Sequence, residues 1–219
     1  MRLLLVRHAQ SANNALHFSQ RIPDPPLTSC GQLQAECLAS WLSNLPLTHL
    51  WCSPFLRSIE TTEAVRRRVR LRPEIHRDLH EQGGCYSGHE QVGRKGEPGM
   101  SRSELGELFP DYQLDPLIQE NGWWESRPFE TDELARQRAE KIKAWFEQQI
   151  TASDMLAAAI IHADFKRQLL RAMLSEEIDV KAFGPILNAS VTSLRRTDSG
   201  WKVDYFNSIS HVPFHWITD

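Results

Sequence analysis

Two histidines stand directly beyond two short apolar runs. His8 follows residues 3–6 and Arg7, and His162 closes the run at residues 155–161. Apolar runs of this length read as strands buried on both faces. Open α/β sheets bind ligands beyond the carboxyl ends of their strands, so two imidazoles at two such ends can share one pocket. Arg7 adjoins the first. Arg57 falls in the first turn of the helix expected after a third apolar run, residues 49–53. Arginine forks and the free N–H groups of a helix N-terminus both favour a bound phosphate. The chemistry these residue types suggest is that of a histidine- and arginine-lined phosphate pocket.

The elements that must position these groups follow in order along the chain. After the strand at residues 2–6, a polar loop ends at Asp24-Pro25-Pro26. Thr28 is the expected N-cap of a helix whose apolar face carries Leu33, Cys37, Leu38, Trp41, Leu42 and Leu45. Pro54 suits the first turn of a helix reaching about Val69. Residues 71–75 read as a third strand. Residues 82–130 lack a long period, because Gly83, Gly84, Gly88, Gly93, Gly96, Gly99, Gly106 and Gly122 interrupt it. A stretch of this length with little regular structure reads as an insertion forming a lid over the active site. Thr131 then caps a long amphipathic helix marked by Ala135, Ala139, Ile142, Trp145, Phe146 and Ile150. Phe165, Leu169, Leu170, Met173 and Leu174 mark the next one. Two late strands, residues 191–195 and 202–206, meet at a turn through Asp198-Ser199-Gly200. Strands alternating with helices predict an α/β fold, a mainly parallel central sheet flanked by helices on both faces, as one domain over residues 1–219.

Composition narrows the function class. Of 219 residues, 25 are Lys or Arg and 28 are Asp or Glu, a net charge of −3, so no chain-wide basic field for nucleic acid or membrane exists. No apolar run approaches the length of a membrane span. The four cysteines, Cys30, Cys37, Cys52 and Cys85, form no CxxC pair, which fits reduced thiols and a cytoplasmic location. His76, His80 and His89 have helix-like metal spacing without helix periodicity around them, so no metal site is expected. The basic run at residues 65–70 reads as a solvated helix C-terminus. Trp123-Trp124 is left open between lid core and a substrate-stacking surface.

Several motifs together resemble the histidine phosphatase superfamily, in its phosphoglycerate mutase-like branch. Val6-Arg7-His8-Ala9-Gln10-Ser11 resembles its "RHG" signature, with Asn14 as the polar residue that follows. Asp24-Pro25-Pro26-Leu27-Thr28 with Gly31 resembles "D-x-P-L-T-x-x-G". Ser53-Pro54-Phe55-Leu56-Arg57-Ser58 with Thr61-Thr62 resembles "S-P-L-x-R-A-x-x-T-A". Leu79-His80-Glu81 resembles "L-x-E", and Ile161-His162-Ala163 resembles the second-histidine "H-G" site. Ala9 and Ala163 stand where relatives carry glycine, and Arg21 does so three residues before Asp24.

The chemistry of such a site can be reasoned from its groups. Phosphoryl transfer is mostly positioning and charge stabilisation. Arg7 and Arg57 would hold the oxygens, a neutral His8 would attack phosphorus, and His162 would add a donor. Glu81 would protonate the leaving oxygen and then activate water. The resemblance implies the same division of roles, with Asn14, Gln20 and Ala163 at the phosphate. Arg102 is the candidate substrate-reading cation of the insertion, or else it pairs with Glu104 or Glu107 on the surface.

The expectation is a histidine acid phosphatase-like phosphomonoesterase. It needs no metal and no cofactor, and it releases inorganic phosphate from a small phosphorylated metabolite. The alternatives are a cofactor-dependent phosphoglycerate mutase and an inactive binding protein of the same fold. The mutase is disfavoured because Arg94-Lys95, Arg102 and Arg127 match no adjacent arginine pair of the mutase type. The inactive protein is disfavoured because all five catalytic groups are present. Oligomeric state is not specified by the sequence.

Overall fold

The computed structural model describes residues 1–174 and 184–219. A seven-stranded sheet forms its centre. Its strands are β1 (Arg2–Arg7), β2 (His49–Cys52), β3 (Glu74–Ile75), β6 (Gln113–Leu114), β7 (Leu156–Ile161), β8 (Val191–Thr197) and β9 (Gly200–Ser208). Their order is β6-β3-β2-β7-β1-β8-β9. The first five in that order run parallel, and β8 and β9 add an antiparallel edge.

Side chains alternate across a strand, and β1 shows the consequence. Leu4 and Val6 enter one core with Leu38, Leu42, Ile59 and Val65, from helices α2 (Ser29–Leu42) and α3 (Leu56–Arg66), which follow the one-turn helix α1 (Ala12–Ala15). Leu3 and Leu5 enter the other, with Ile142, Phe146, Phe165 and Leu169, from helices α5 (Asp132–Gln149) and α6 (Ala163–Leu174). A strand covered on both faces must be apolar at every position, which is why residues 3–6 carry no polar side chain.

Thr28 and Thr131 cap their helices as expected, accepting from the N–H groups of Gly31 and Leu134. Gly31 is required where it stands, because a Cβ there would lie 2.0 Å from the Gln10 carbonyl oxygen. Several boundaries differ from the sequence reading. Pro54 lies outside α3, because Phe55 is the extended N-cap residue, and the helix stops at Arg66. Only Glu74 and Ile75 of residues 71–75 pair in the sheet. Leu33 points to solvent; the buried face of α2 is Gly31, Gln34, Ala35, Leu38, Ala39 and Leu42. The late strands are longer than expected and form a hairpin.

Residues 82–130 are more ordered than their glycines suggest. They contain a hairpin, β4 (Tyr86–His89) with β5 (Gly93–Gly96), a helix α4 (Arg102–Leu108), and β6, which pairs with β3 at the sheet edge. Trp123 and Trp124 are buried core residues, and Trp123 meets the Phe55 ring edge-on at 4.7 Å. The basic run is absorbed by surface pairs: Arg66 bonds Glu63 and Asp111, while Arg67 and Arg68 share Glu36. Among the described residues, no helix is long and apolar enough to cross a membrane.

Candidate active site

Register brings the two histidines together. β1 and β7 are parallel with Arg7 opposite Ile161, so the next residue of each strand leaves the sheet at the same level. The His8 N–H donates to the Ile161 carbonyl at 2.9 Å, and the two imidazole centroids are 5.0 Å apart. β2 ends one strand further along, and the Ser53 N–H donates to the Ile160 carbonyl.

His8 is buried and held at both ring nitrogens. Nδ1 lies 2.7 Å from the Ala9 carbonyl oxygen, and Nε2 accepts from Arg57 Nε at 3.2 Å. A carbonyl oxygen can only accept, so Nδ1 carries the proton and Nε2 the lone pair. Burial, then the charges of Arg57 and Arg7, push the ring's pKa well below its ordinary value, so it is neutral at pH 7. Ala9 and Ala163 both keep negative φ, so neither methyl group strains the backbone.

His162 is fully buried behind His8 and forms no part of the cavity wall. Its Nε2 lies 2.7 Å from Ser53 Oγ and 3.3 Å from Ser58 Oγ, while its Nδ1 is buried with no partner. Burial, then Arg57 and His8, hold it neutral. Both serines belong to the Ser-Pro motif around Arg57, and their role as supports of His162 was the signal missed there.

Arg57 lies in the first turn of α3, its guanidinium 4.0 Å over the Phe55 ring and 4.0 Å from Asp24. Asp24 also accepts from the Leu56 N–H at 2.8 Å. The Asp-Pro-Pro segment thus anchors the start of α3 and the arginine it presents. Burial raises the Asp24 carboxyl to about 6 even though Arg57 opposes the shift. Arg7 donates to the Ile186 carbonyl, leaving its buried Nε without a partner, and burial lowers its pKa to about 10. Behind it, Lys166 is fully buried. Desolvation, then the charge of Arg7, drives its ammonium strongly toward the neutral form.

Glu81 sits on the N-terminus of α6. Its Oε1 accepts from the N–H of Phe165 at 2.9 Å and of Gln82 at 2.8 Å, and Oε2 lies 3.3 Å from the Asp164 nitrogen. Those bonds favour the carboxylate, but burial and then the Asp164 charge outweigh them and raise its pKa to about 7. Asp164, a carboxylate beside the expected acid, was not singled out from the sequence. Arg138 supports the same corner from below. It bonds the Asp78 and His80 carbonyls and forms a buried two-point pair with Glu130 at 2.8 and 2.6 Å.

Arg7, His8, Arg57, Glu81, Asn14 and Ala163 all line one cavity of about 780 Å³. Asn14 Oδ1 is occupied by the Ser11 N–H and hydroxyl. Gln20 does not reach the cavity. It lies exposed in a single turn, Phe18–Gln20, whose Phe18, with the following Arg21, faces inward instead. Arg102 is also elsewhere. It starts α4 and donates to the carbonyls of Asp115 and Ile118, pairing with neither Glu104 nor Glu107. His76 faces Asp115 at 3.6 Å, and His80 stacks near Trp123. No cluster of three metal-ligating side chains occurs among the described residues.

Residues 3–209 match the model of the histidine phosphatase superfamily, branch 1. The chain belongs to this superfamily. Solved phosphatases share its fold. A mycobacterial glucosyl-3-phosphoglycerate phosphatase is 20% identical with a TM-score of 0.64, over 94% of this chain and 98% of that one. An Entamoeba histolytica phosphoserine phosphatase in complex with phosphoserine is 16% identical with a TM-score of 0.65, over 97% and 99%. A putative α-ribazole-5'-P phosphatase from Escherichia coli is 17% identical with a TM-score of 0.67, over 97% and 100%. No curated protein matches the chain at a significant level. Within this superfamily member, the motif-bearing residues Arg7, His8, Arg57 and Glu81 meet at one end of the parallel strands, with His162 directly behind.

Proposed function

We propose that the protein is a phosphomonoester hydrolase acting on a small phosphorylated metabolite, without a metal ion, through a phosphohistidine at His8. The observation that carries this reading is the state of His8: neutral, with Nδ1 committed to the Ala9 carbonyl and the Nε2 lone pair facing Arg57.

In the first step the Arg57 N–H turns from Nε2 to a phosphoryl oxygen, and the freed Nε2 lone pair attacks phosphorus. A P–N bond forms as the ester P–O bond breaks. Glu81, with a pKa of about 7, gives its proton to the departing oxygen. In the second step a water attacks phosphorus, Glu81 takes its proton, the P–N bond breaks and inorganic phosphate leaves. Arg7 and Arg57 neutralise the non-bridging oxygens, the task a divalent cation performs elsewhere. His162, expected as a further donor to these oxygens, lies behind His8 outside the cavity wall and acts by packing against its ring. The hairpin residues of 82–130 that line the cavity act as its cover and exclude water. A cytoplasmic site of action belongs to this reading, since a reducing compartment keeps the four cysteines as thiols.

Hydrolysis of p-nitrophenyl phosphate in excess chelator tests the reading. Full activity is expected. Activity lost to the chelator and restored by a divalent cation would overturn metal independence. A mutase reaction stimulated by 2,3-bisphosphoglycerate, with little hydrolysis, would overturn the hydrolase assignment.

A further inference from the structure

The cavity is larger than a phosphoryl group needs; about 780 Å³ lies within the range that holds a whole small-molecule ligand. Its catalytic end is Arg7, His8, Arg57 and Glu81. The rest of the wall includes Asp164 beside Glu81 and, across the cavity, Phe18, Arg21, the β4–β5 hairpin and Phe129. Phe18 meets the His89 ring edge-on at 5.1 Å, which sets the turn against the hairpin.

Arg94 lies on β5 opposite Gly88 of β4. Its guanidinium is 4.0 Å over the Phe129 ring and 5.6 Å from the centre of Tyr86. An aromatic face under a guanidinium fixes its plane and leaves the N–H edge free to fork onto an anion. Among the described residues Arg94 forms no ion pair. Arg21, on the same wall, forms none either. Glu90, the hairpin's own carboxylate at the cavity, pairs with neither. The arginines at the catalytic end have partners; Arg57 has Asp24 and Arg7 has the Ile186 carbonyl. An oriented arginine on a cavity wall, without a protein anion, is what recognition of a substrate anion requires.

We infer that Arg94 reads a second anionic group, a carboxylate or a second phosphate, on the molecule whose phosphomonoester meets His8. Arg21 adds to the same positive rim. The inference rests on the hydrolase reading above and narrows it to phosphomonoesters with two anionic ends. It also assigns to Arg94 the role expected of Arg102.

The test compares kcat/KM within two substrate pairs. 3-Phosphoglycerate against glycerol 3-phosphate isolates a carboxylate, and fructose 1,6-bisphosphate against fructose 6-phosphate isolates a second phosphate. Wild type should favour the doubly anionic member of at least one pair by about 10- to 100-fold, the contribution of a charge-assisted hydrogen bond. The pair showing the preference tells which anion is read. Arg94→Met keeps an unbranched stem over Phe129 but removes the charge; it should bring that ratio close to one, mainly through KM. Arg94→Glu should reverse it, so that O-phosphoethanolamine is preferred over 3-phosphoglycerate, a reversal that misfolding cannot produce. Equal use of both members by wild type, or a ratio that survives Arg94→Met, overturns the inference while leaving the hydrolase reading intact. Failure of wild type to hydrolyse any phosphomonoester, p-nitrophenyl phosphate included, overturns the hydrolase reading and this inference with it.

Discussion

Glu81→Gln should gain stability relative to wild type as pH rises, while removing the proposed general acid. The carboxyl's pKa rises from an ordinary 4.5 to about 7 in the fold, through burial and the nearby Asp164 charge. A carboxyl raised in this way favours the folded state least when it is ionised. Its contribution to wild-type stability therefore falls as pH climbs from 4.5 toward 7 and levels off above. At about 1.4 kcal/mol per pH unit, the full penalty is on the order of 3 kcal/mol. Roughly a quarter of it is already present at pH 5 by the same linkage. Glutamine does not titrate, so the variant-minus-wild-type difference should grow by about 2–3 kcal/mol between pH 5 and pH 8.5. For a chain of this size that is about 5–10 °C in relative Tm. Any fixed packing effect of the amide cancels in the comparison. Thermal or urea unfolding of both proteins at the two pH values measures it. Activity should move the other way. Alkyl phosphates, whose leaving oxygen needs a proton, should slow by about 10²–10⁴, and p-nitrophenyl phosphate far less. A stability difference that stays constant with pH, or equal slowing of both ester classes, would refute the reasoning.

Arg138→Met removes one partner of the buried Arg138–Glu130 pair and two bonds to the carbonyls of Asp78 and His80. It should destabilise the protein by about 3–5 kcal/mol. Because His80 directly precedes Glu81, alkyl esters should lose more turnover than aryl esters, which steady-state kinetics on both would show. Trp123→Ala empties a fully buried site packed against Phe55, below Arg57. A loss of about 3–5 kcal/mol in urea unfolding is expected; a loss below 1 kcal/mol would mean that residues 82–130 do not share the core.

The groups of the candidate site were legible because their placement depends on local signals. Arg7, His8 and His162 follow directly on runs such as 3–6 and 155–161 that can only be buried strands, and parallel register does the rest. Arg57 needed only a helix start near Pro54. Residues 82–130 were hard to read for the opposite reason. Their core is made by distant partners, as when Trp123 packs on Phe55, and a two-residue strand such as Gln113–Leu114 carries no period. Positive-φ glycines at Gly83, Gly84 and Gly88 mark turns of an ordered segment, not the absence of structure. Gln20 and Arg102 show the limit of reading by residue type. In the turn at Phe18–Gln20 the neighbouring Phe18 and Arg21 face inward, and the insertion's inward arginine is set by hairpin register, which selects Arg94.

The proposed mechanism turns on covalent phosphorylation of His8. Wild-type protein should be quenched in alkali during turnover of a ³²P-labelled phosphomonoester and its peptides mapped. Label that is stable to alkali, lost in acid and located on His8 is expected. His8→Ala should carry none and should lose at least about a thousandfold in kcat, as expected of a covalent nucleophile. Label on another residue, or near-normal turnover by His8→Ala, would contradict the account.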